Sequence, residues 1–329
     1  MGRMKNVRFL TALVALMLTA AGPTGTMGQS PGSMHAPVPQ LVILDTDIGD
    51  DIDDAFALAL VLRSPELQLL GVETAFGETE LRARLVDRYL ASVGRSDIPV
   101  MAGVETKGGH FTQAAYARQW PDRKHGDATR FLLGQIRAHP GLITLIAIGP
   151  LFNVQAAIER DPATFRKLKR VVLMGGSVNR GYDGMNGDKN TPPSPEWNIL
   201  CDPAGARALL ASGVPVFVMP LDSTQIRLEN PVLGTVFAHG SPLTDQLTLL
   251  YHQWTAEREW HPPTLYDPVA VTFAIRPELC PATPMRLEVD DKGFTRPVAG
   301  APNVQVCLHS DEKGFLDLLV SRIVGETTH

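Results

Sequence analysis

Six aspartates fall within ten residues of this chain: Asp45, Asp47, Asp50, Asp51, Asp53 and Asp54, in the stretch LDTDIGDDIDDA, with Gly49 the one glycine among them. Carboxylates crowded in this way repel one another, and the exposed N–H groups of a helix start offset only part of that repulsion. The remainder calls for a cation, and an all-oxygen donor set suits a hard one. A solvated, acid-capped turn is the plainer alternative; it suits two or three acids better than six. The flanks place the cluster. Residues 41–44 are apolar and too few for a helix, so they read as a buried strand. From Asp53 the chain turns to AFALALVLR, strong helix formers apolar on every side, which predicts a helix buried all round. The acids therefore occupy a strand-to-helix corner at the C-terminal end of a strand, where α/β sheets keep their ligands.

Two generic motifs fail here. A calcium loop of the EF-hand type needs Glu at its twelfth position, and counting from Asp45 reaches Phe56. A phosphate-transferring aspartate loop resembles Asp-x-Asp-x-Thr, whereas Gly49 stands at the fifth place. The stretch instead resembles the opening of the nucleoside hydrolase family, inosine–uridine-preferring type: a strand, Asp45-Thr46-Asp47-Ile48-Gly49, then Asp53-Asp54-Ala55 and an apolar helix. Two additional residues lie between the glycine and the Asp-Asp pair, so either Asp51 or Asp53 takes the sugar-binding place. Further blocks are similar to the same family: TLIAIGPLFN at 144–153, VVLMGG at 171–176, Asn190, Glu196 and Asn198 in NTPPSPEWN, and YDPVAV at 266–271.

The resemblance implies an N-ribohydrolase that cleaves a nucleoside or related riboside to ribose and free base. It implies one Ca²⁺ held by Asp47, Asp54, Asp267 and the backbone carbonyl of Ile148, with Asp47 also the general base. Asp53, Asn190, Glu196 and Asn198 would hold the sugar, and their negative field would stabilise its oxocarbenium-like transition state. Two positions depart from the family pattern. Tyr266 stands where His often precedes the aspartate, and Glu78 where Asn often follows Gly77. A phenol is a poor proton donor at neutral pH, so His261, with Trp260 to stack on the base, is the expected activator of the leaving group. Glu78 reads equally as an acid in the first turn of a helix. A Ca²⁺-dependent nucleoside-binding protein without turnover, or a hydrolase of a different riboside, fits the same acids.

These residues require a frame. After the acid cluster, short apolar runs (69–74, 98–101, 143–148, 171–174, 215–219, 286–289, 304–308) alternate with segments of helical spacing (79–93, 126–138, 153–159, 203–211, 243–259, 267–274, 312–324). Short, fully apolar strands between helices predict an α/β fold: a single doubly wound, mostly parallel sheet covered on both faces. Residues 104–125 and 177–196 are irregular and read as loops over the site. The segments following the strands, including Gly149–Asn153 and Asp222, are expected to converge on one cleft.

Arg3, Lys5 and Arg8 precede an apolar run at 9–21 and small residues, the pattern of a secretory signal over 1–28. Residues 29–38 then read as a flexible lead-in to a catalytic domain over 39–325, exported to the periplasm or medium. Removing 1–28 takes away three basic and no acidic residues, so the net charge of −5 becomes −8. That balance predicts no nucleic-acid or membrane partner; the resemblance allows a homo-oligomer. Cys201, Cys280 and Cys307 are an odd, widely spaced set that reads as buried thiols.

Overall fold

In the computed structural model, which describes residues 38–184, 188–256 and 262–325, the strand expected at 41–44 runs from Gln40 to Thr46. Val42 and Leu44 pack into one core with Ile146, Val172 and the following helix. Ile43, pointing the opposite way as strand alternation requires, joins a second core with Leu145 and Val171. A strand buried on both faces is the reason that its sequence shows no polar alternation.

The strands in chain order are β1 (Gln40–Thr46), β2 (Leu67–Thr74), β3 (Val100–Ala102), β4 (Gly126–Asp127), β5 (Thr144–Ala147), β6 (Arg170–Met174), β7 (Val216–Met219), β8 (Ala282–Met285), β9 (Leu287–Val289), β10 (Thr295–Pro297) and β11 (Val304–Cys307). Nine of them form one sheet in the order β4-β3-β2-β1-β5-β6-β7-β11-β8. Neighbours pair parallel except β8, which runs antiparallel to β11. The chain winds outward from β1 to β4, then returns to place β5 against the other side of β1. The direction of winding reverses there, and open α/β sheets leave a crevice at such a point. The acid cluster follows β1 directly.

The helix Asp53–Leu62 is buried along Asp53–Val61, and the helix Asp267–Ile275 along Asp267–Ala274. They pack against each other. Two helices apolar on every side are stable only inside a protein, and their side-by-side packing brings both acidic N-termini to the same end of the sheet. Among the described residues no helix is long and apolar enough to cross a membrane.

Four details differ from the sequence reading. Gly126-Asp127 forms an edge strand before the helix Ala128–Ala138 starts, because Asp127 is extended and caps that helix by accepting from Arg130 N at 2.6 Å. The late strand expected at 286–289 is β9, which pairs with β10 in a separate hairpin, while the main sheet takes the preceding residues 282–285 as β8. The loop expected at 104–125 contains the short helix Ala114–Arg118. Cys280 and Cys307 are a disulfide, Cα–Cα 5.6 Å, not two thiols, because the antiparallel register puts Cys307 opposite Ala282; Cys201 is free. The proposed signal at 1–28 and residues 29–37 lie outside the described residues.

Candidate active site

A cleft of about 380 Å³ opens at the carboxyl ends of β1, β5 and β6. Asp47, Asp50, Asp51, Asp53 and Asp54 line it from the corner after β1, Ile148 from the end of β5, and Met174 from the end of β6. Asp267 and Tyr266 enter from the start of the buried helix Asp267–Ile275. The corner is tight. A Cβ on Gly149 would lie 2.8 Å from Asp47 N and 2.9 Å from its Oδ1, so only glycine admits that approach.

At the base of the cleft, carboxylate oxygens of Asp53, Asp54 and Asp267 lie within 4.8 Å of one another, and all three residues are buried. Asp53 Oδ2 accepts from the backbone N–H groups of Tyr266 (3.1 Å) and Asp267 (3.2 Å), so it caps the neighbouring helix. Asp54 Oδ1 accepts from Thr46 Oγ1. Burial, then mutual repulsion, pushes Asp53, Asp54 and Asp267 well above the ordinary carboxylate range. Asp47 is also lifted by burial, against the opposing pull of Arg82, to about 6. Three buried carboxylates that destabilise one another, presenting only oxygen, fit a hard divalent cation.

The converging trio contains Asp53, expected on the sugar, and not Asp47, expected as a ligand. Asp53 is drawn there by the two N–H groups that it caps. Asp47 lines the same cleft beside the trio. Ile148 lines the same cleft, and its carbonyl accepts from Asn198 Nδ2 at 3.1 Å. Asn198 Nδ2 also donates to Met174 O at 3.1 Å, and so ties β5 to β6.

Glu196 lines the cleft, but its carboxylate is occupied as the cap of the helix Trp197–Cys201. Its oxygens accept from Asn198 N (2.9 Å), Gly176 N (2.9 Å) and Ile199 N (3.2 Å). Burial nevertheless lifts it to about 7. Asn190 is exposed on its loop, outside the lining, with its N–H on Asp188 Oδ1 at 2.9 Å. Glu78 is likewise exposed and only precedes the helix Thr79–Ser92, which is its plain helix-start reading. Asp222 does not line the cleft. It accepts from Val178 N and Asn179 N and anchors the loop after β6. Trp260 and His261 lie outside the described residues.

Tyr182 and Trp197 were not expected in the lining. The Tyr182 ring stands edge-on to Tyr266 at 6.1 Å, and its hydroxyl accepts from Trp197 N at 2.9 Å. Trp197 is 45 % exposed, its ring open to the cleft. Desolvation pushes the phenols of Tyr182 and Tyr266 further above the ordinary tyrosine value. Nothing in the local sequence marks Tyr182, because the loop that carries it is fixed by Gln225 from a distant segment: Gln225 accepts from Asp183 N and donates to Gly181 O.

Residues 42–317 match the family described as inosine-uridine preferring nucleoside hydrolase. The chain belongs to that family. It is therefore an N-glycosyl hydrolase of a metal-dependent family. It is 28 % identical over 319 residues to the pyrimidine-specific ribonucleoside hydrolase RihA of Enterobacter sp. (strain 638), covering 86 % of this chain and 97 % of that one. It is 30 % identical over 259 residues to uridine nucleosidase 1 of Arabidopsis thaliana, covering 72 % and 74 %. Its fold matches the plant nucleoside hydrolase PpNRh1 with a TM-score of 0.78 at 26 % identity, covering 88 % and 100 %. A purine-preferring ribonucleoside hydrolase from Gardnerella vaginalis gives 0.73 at 25 % identity, covering 87 % and 98 %. In this nucleoside hydrolase the carboxylate trio is a group that could hold a metal, and Tyr182, Trp197 and Tyr266 line the same cleft.

Proposed function

We propose that this nucleoside hydrolase uses Ca²⁺ to cleave a ribonucleoside into ribose and free base in the cleft above Asp53, Asp54 and Asp267. The observation that carries the reading is the convergence of those three buried carboxylates beside Asp47 at the winding reversal of the sheet. A divalent cation bound by the trio and the Ile148 carbonyl would supply charge compensation and a Lewis acid next to the reacting carbon.

The protein's own groups perform the rest. Asp47, lifted to about 6, is a carboxylate at neutral pH and basic enough to take a proton from the attacking water. Asp51, with Glu196 in its ionised form, makes the field around the sugar negative, which favours a cationic ring in the transition state. Asn198 holds the ends of β5 and β6 at a fixed spacing, so the sugar meets a preformed surface. Tyr182, Trp197 and Tyr266 offer apolar faces and neutral hydroxyls to the leaving base. His261 remains our proposal for the proton donor to that base, with Trp260 stacked on it.

The names of two relatives point to pyrimidine ribosides, so uridine is the first substrate to test, with inosine beside it. Base release is expected with calcium and is expected to stop in excess EDTA. Undiminished release in EDTA would refute the metal reading. Binding of uridine without release would favour the binding-protein alternative. We also propose export directed by residues 1–28; the exported protein should begin after residue 28 when sequenced from its N-terminus.

A further inference from the structure

The acid loop carries its carboxylates toward the cleft, and its backbone is secured from behind. Arg82, on the helix Thr79–Ser92, is only 1 % exposed. Its Nη1 donates to the carbonyls of Asp47 and Ile48 (the latter at 2.9 Å), its Nε to Phe76 O at 2.8 Å, and its Nη2 to His110 O at 3.4 Å. The guanidinium also stands 5.0 Å from the centre of the Phe111 ring. The next three carbonyls are taken by the segment beside that ring. Gln113 N donates to Gly49 O at 3.0 Å, Thr112 Oγ1 to Asp50 O at 2.6 Å, and Gln113 Nε2 to Asp51 O at 3.2 Å. Five consecutive carbonyls, from Asp47 to Asp51, are therefore engaged by Arg82 and residues 112–113. Phe111 itself presses on Gly49 so closely that a Cβ there would lie 2.1 Å from the ring.

A long, fully buried arginine is costly to place unless its donors are satisfied. Here four carbonyls satisfy it, and a planar fork serves carbonyls on three separate segments at once, which an ammonium does not. We infer that Arg82 is a positioning residue for the nucleoside hydrolase reaction: with residues 111–113 it fixes the backbone of the acid loop so that Asp47 and its neighbours face the cation and substrate. The inference rests on the reading that the trio binds a divalent cation.

Charge and geometry predict opposite outcomes, which makes the inference testable. If Arg82 acted only as a positive charge near the acids, its removal would strengthen cation binding, and lysine would replace it. If it positions the loop, both Arg82→Met and Arg82→Lys weaken cation binding, by about 10- to 100-fold, the range for partners that orient metal ligands. The experiment titrates CaCl₂ into the chelator-treated full chain by calorimetry, with circular dichroism to confirm folding. Uridine hydrolysis is read in parallel, kcat separately from KM. We expect weaker calcium binding in both variants and a fall in kcat that saturating calcium does not restore. Tighter calcium binding by Arg82→Met, or affinities of both variants within twofold of the parent, would overturn the inference. If the Arg82 variants do not fold, Thr112→Val, which removes the donor to Asp50 O without touching a buried charge, decides: weaker calcium binding supports the inference and unchanged binding overturns it. A parent protein that binds no calcium would instead sink the cation reading itself.

Discussion

Stripping the divalent cation from this nucleoside hydrolase should lower its Tm, and the loss should grow with pH. Burial, followed by repulsion from neighbouring carboxylates, holds Asp53, Asp54 and Asp267 well above their ordinary value. Burial lifts Asp47 from 3.8 to about 6. For Asp47 alone that rise corresponds to an ionisation penalty on the order of 3 kcal/mol. A carboxylate whose folded pKa is raised binds more protons when folded than when unfolded, between the two values. Stability of the metal-free protein therefore falls as pH rises from about 4 through the folded pKa values. Cation binding needs the ionised forms, so its benefit is withheld at low pH and delivered at high pH. Calcium at a hundred times its Kd would return about 2.7 kcal/mol; for a chain of this size that is about 4–5 °C in Tm. The assay is thermal unfolding in calcium and in EDTA, at pH 5 and pH 8. We expect a gap of that size at pH 8 and a markedly smaller one at pH 5. Coincident curves at pH 8, or a larger gap at pH 5, would refute the reasoning.

Asp267→Asn should weaken calcium binding by at least about 10-fold, since partners that only orient metal ligands already cost that much; an unchanged titration would remove Asp267 from the trio. Leu60→Ala, in the middle of the helix buried on all sides, should cost about 2–5 kcal/mol in urea unfolding, and a loss under 1 kcal/mol would mean that the packing there is loose. His125 offers a second pH test. Burial pushes its ring down, but hydrogen bonds to Asp87 (2.9 Å) and Glu80 (2.7 Å) outweigh that and raise its pKa. Its contribution is complete below the unfolded value near 6.5 and is lost as pH rises through the folded value. His125→Gln should accordingly destabilise more at pH 6 than at pH 9, and equal costs at the two pH values would count against the ion-paired histidine.

The parts of this molecule that were legible in its sequence are those set by local chemistry. The run at 41–44 could only be a buried strand, and AFALALVL only a buried helix, because neither contains a polar residue for solvent to hold. The acid corner between them, the Gly149-Pro150 turn and the Asp267-Pro268 helix start were legible from their own turn and helix-start chemistry. Which of the aspartates converge with Asp267 was not. Consecutive side chains diverge where a strand turns into a helix, and which aspartate points into the cation site depends on what meets it there. Asp53 is turned toward Asp267 by the N–H groups of Tyr266 and Asp267, more than 200 residues away. Arg82 and Tyr182 escaped notice for the complementary reason. Arg82 reads as an ordinary surface arginine of an amphipathic helix until the acid loop and residues 110–113 fold over it. Tyr182 sits in a stretch with no periodicity, held by Gln225. The same holds for Glu78 and Asn190, which stand outside the lining of the cleft. Each occupied a family position by count along the chain, yet Glu78 only precedes a helix and Asn190 faces solvent. A carboxylate or amide becomes part of a site when distant backbone groups leave it no other direction to face, and spacing along the chain does not encode that constraint.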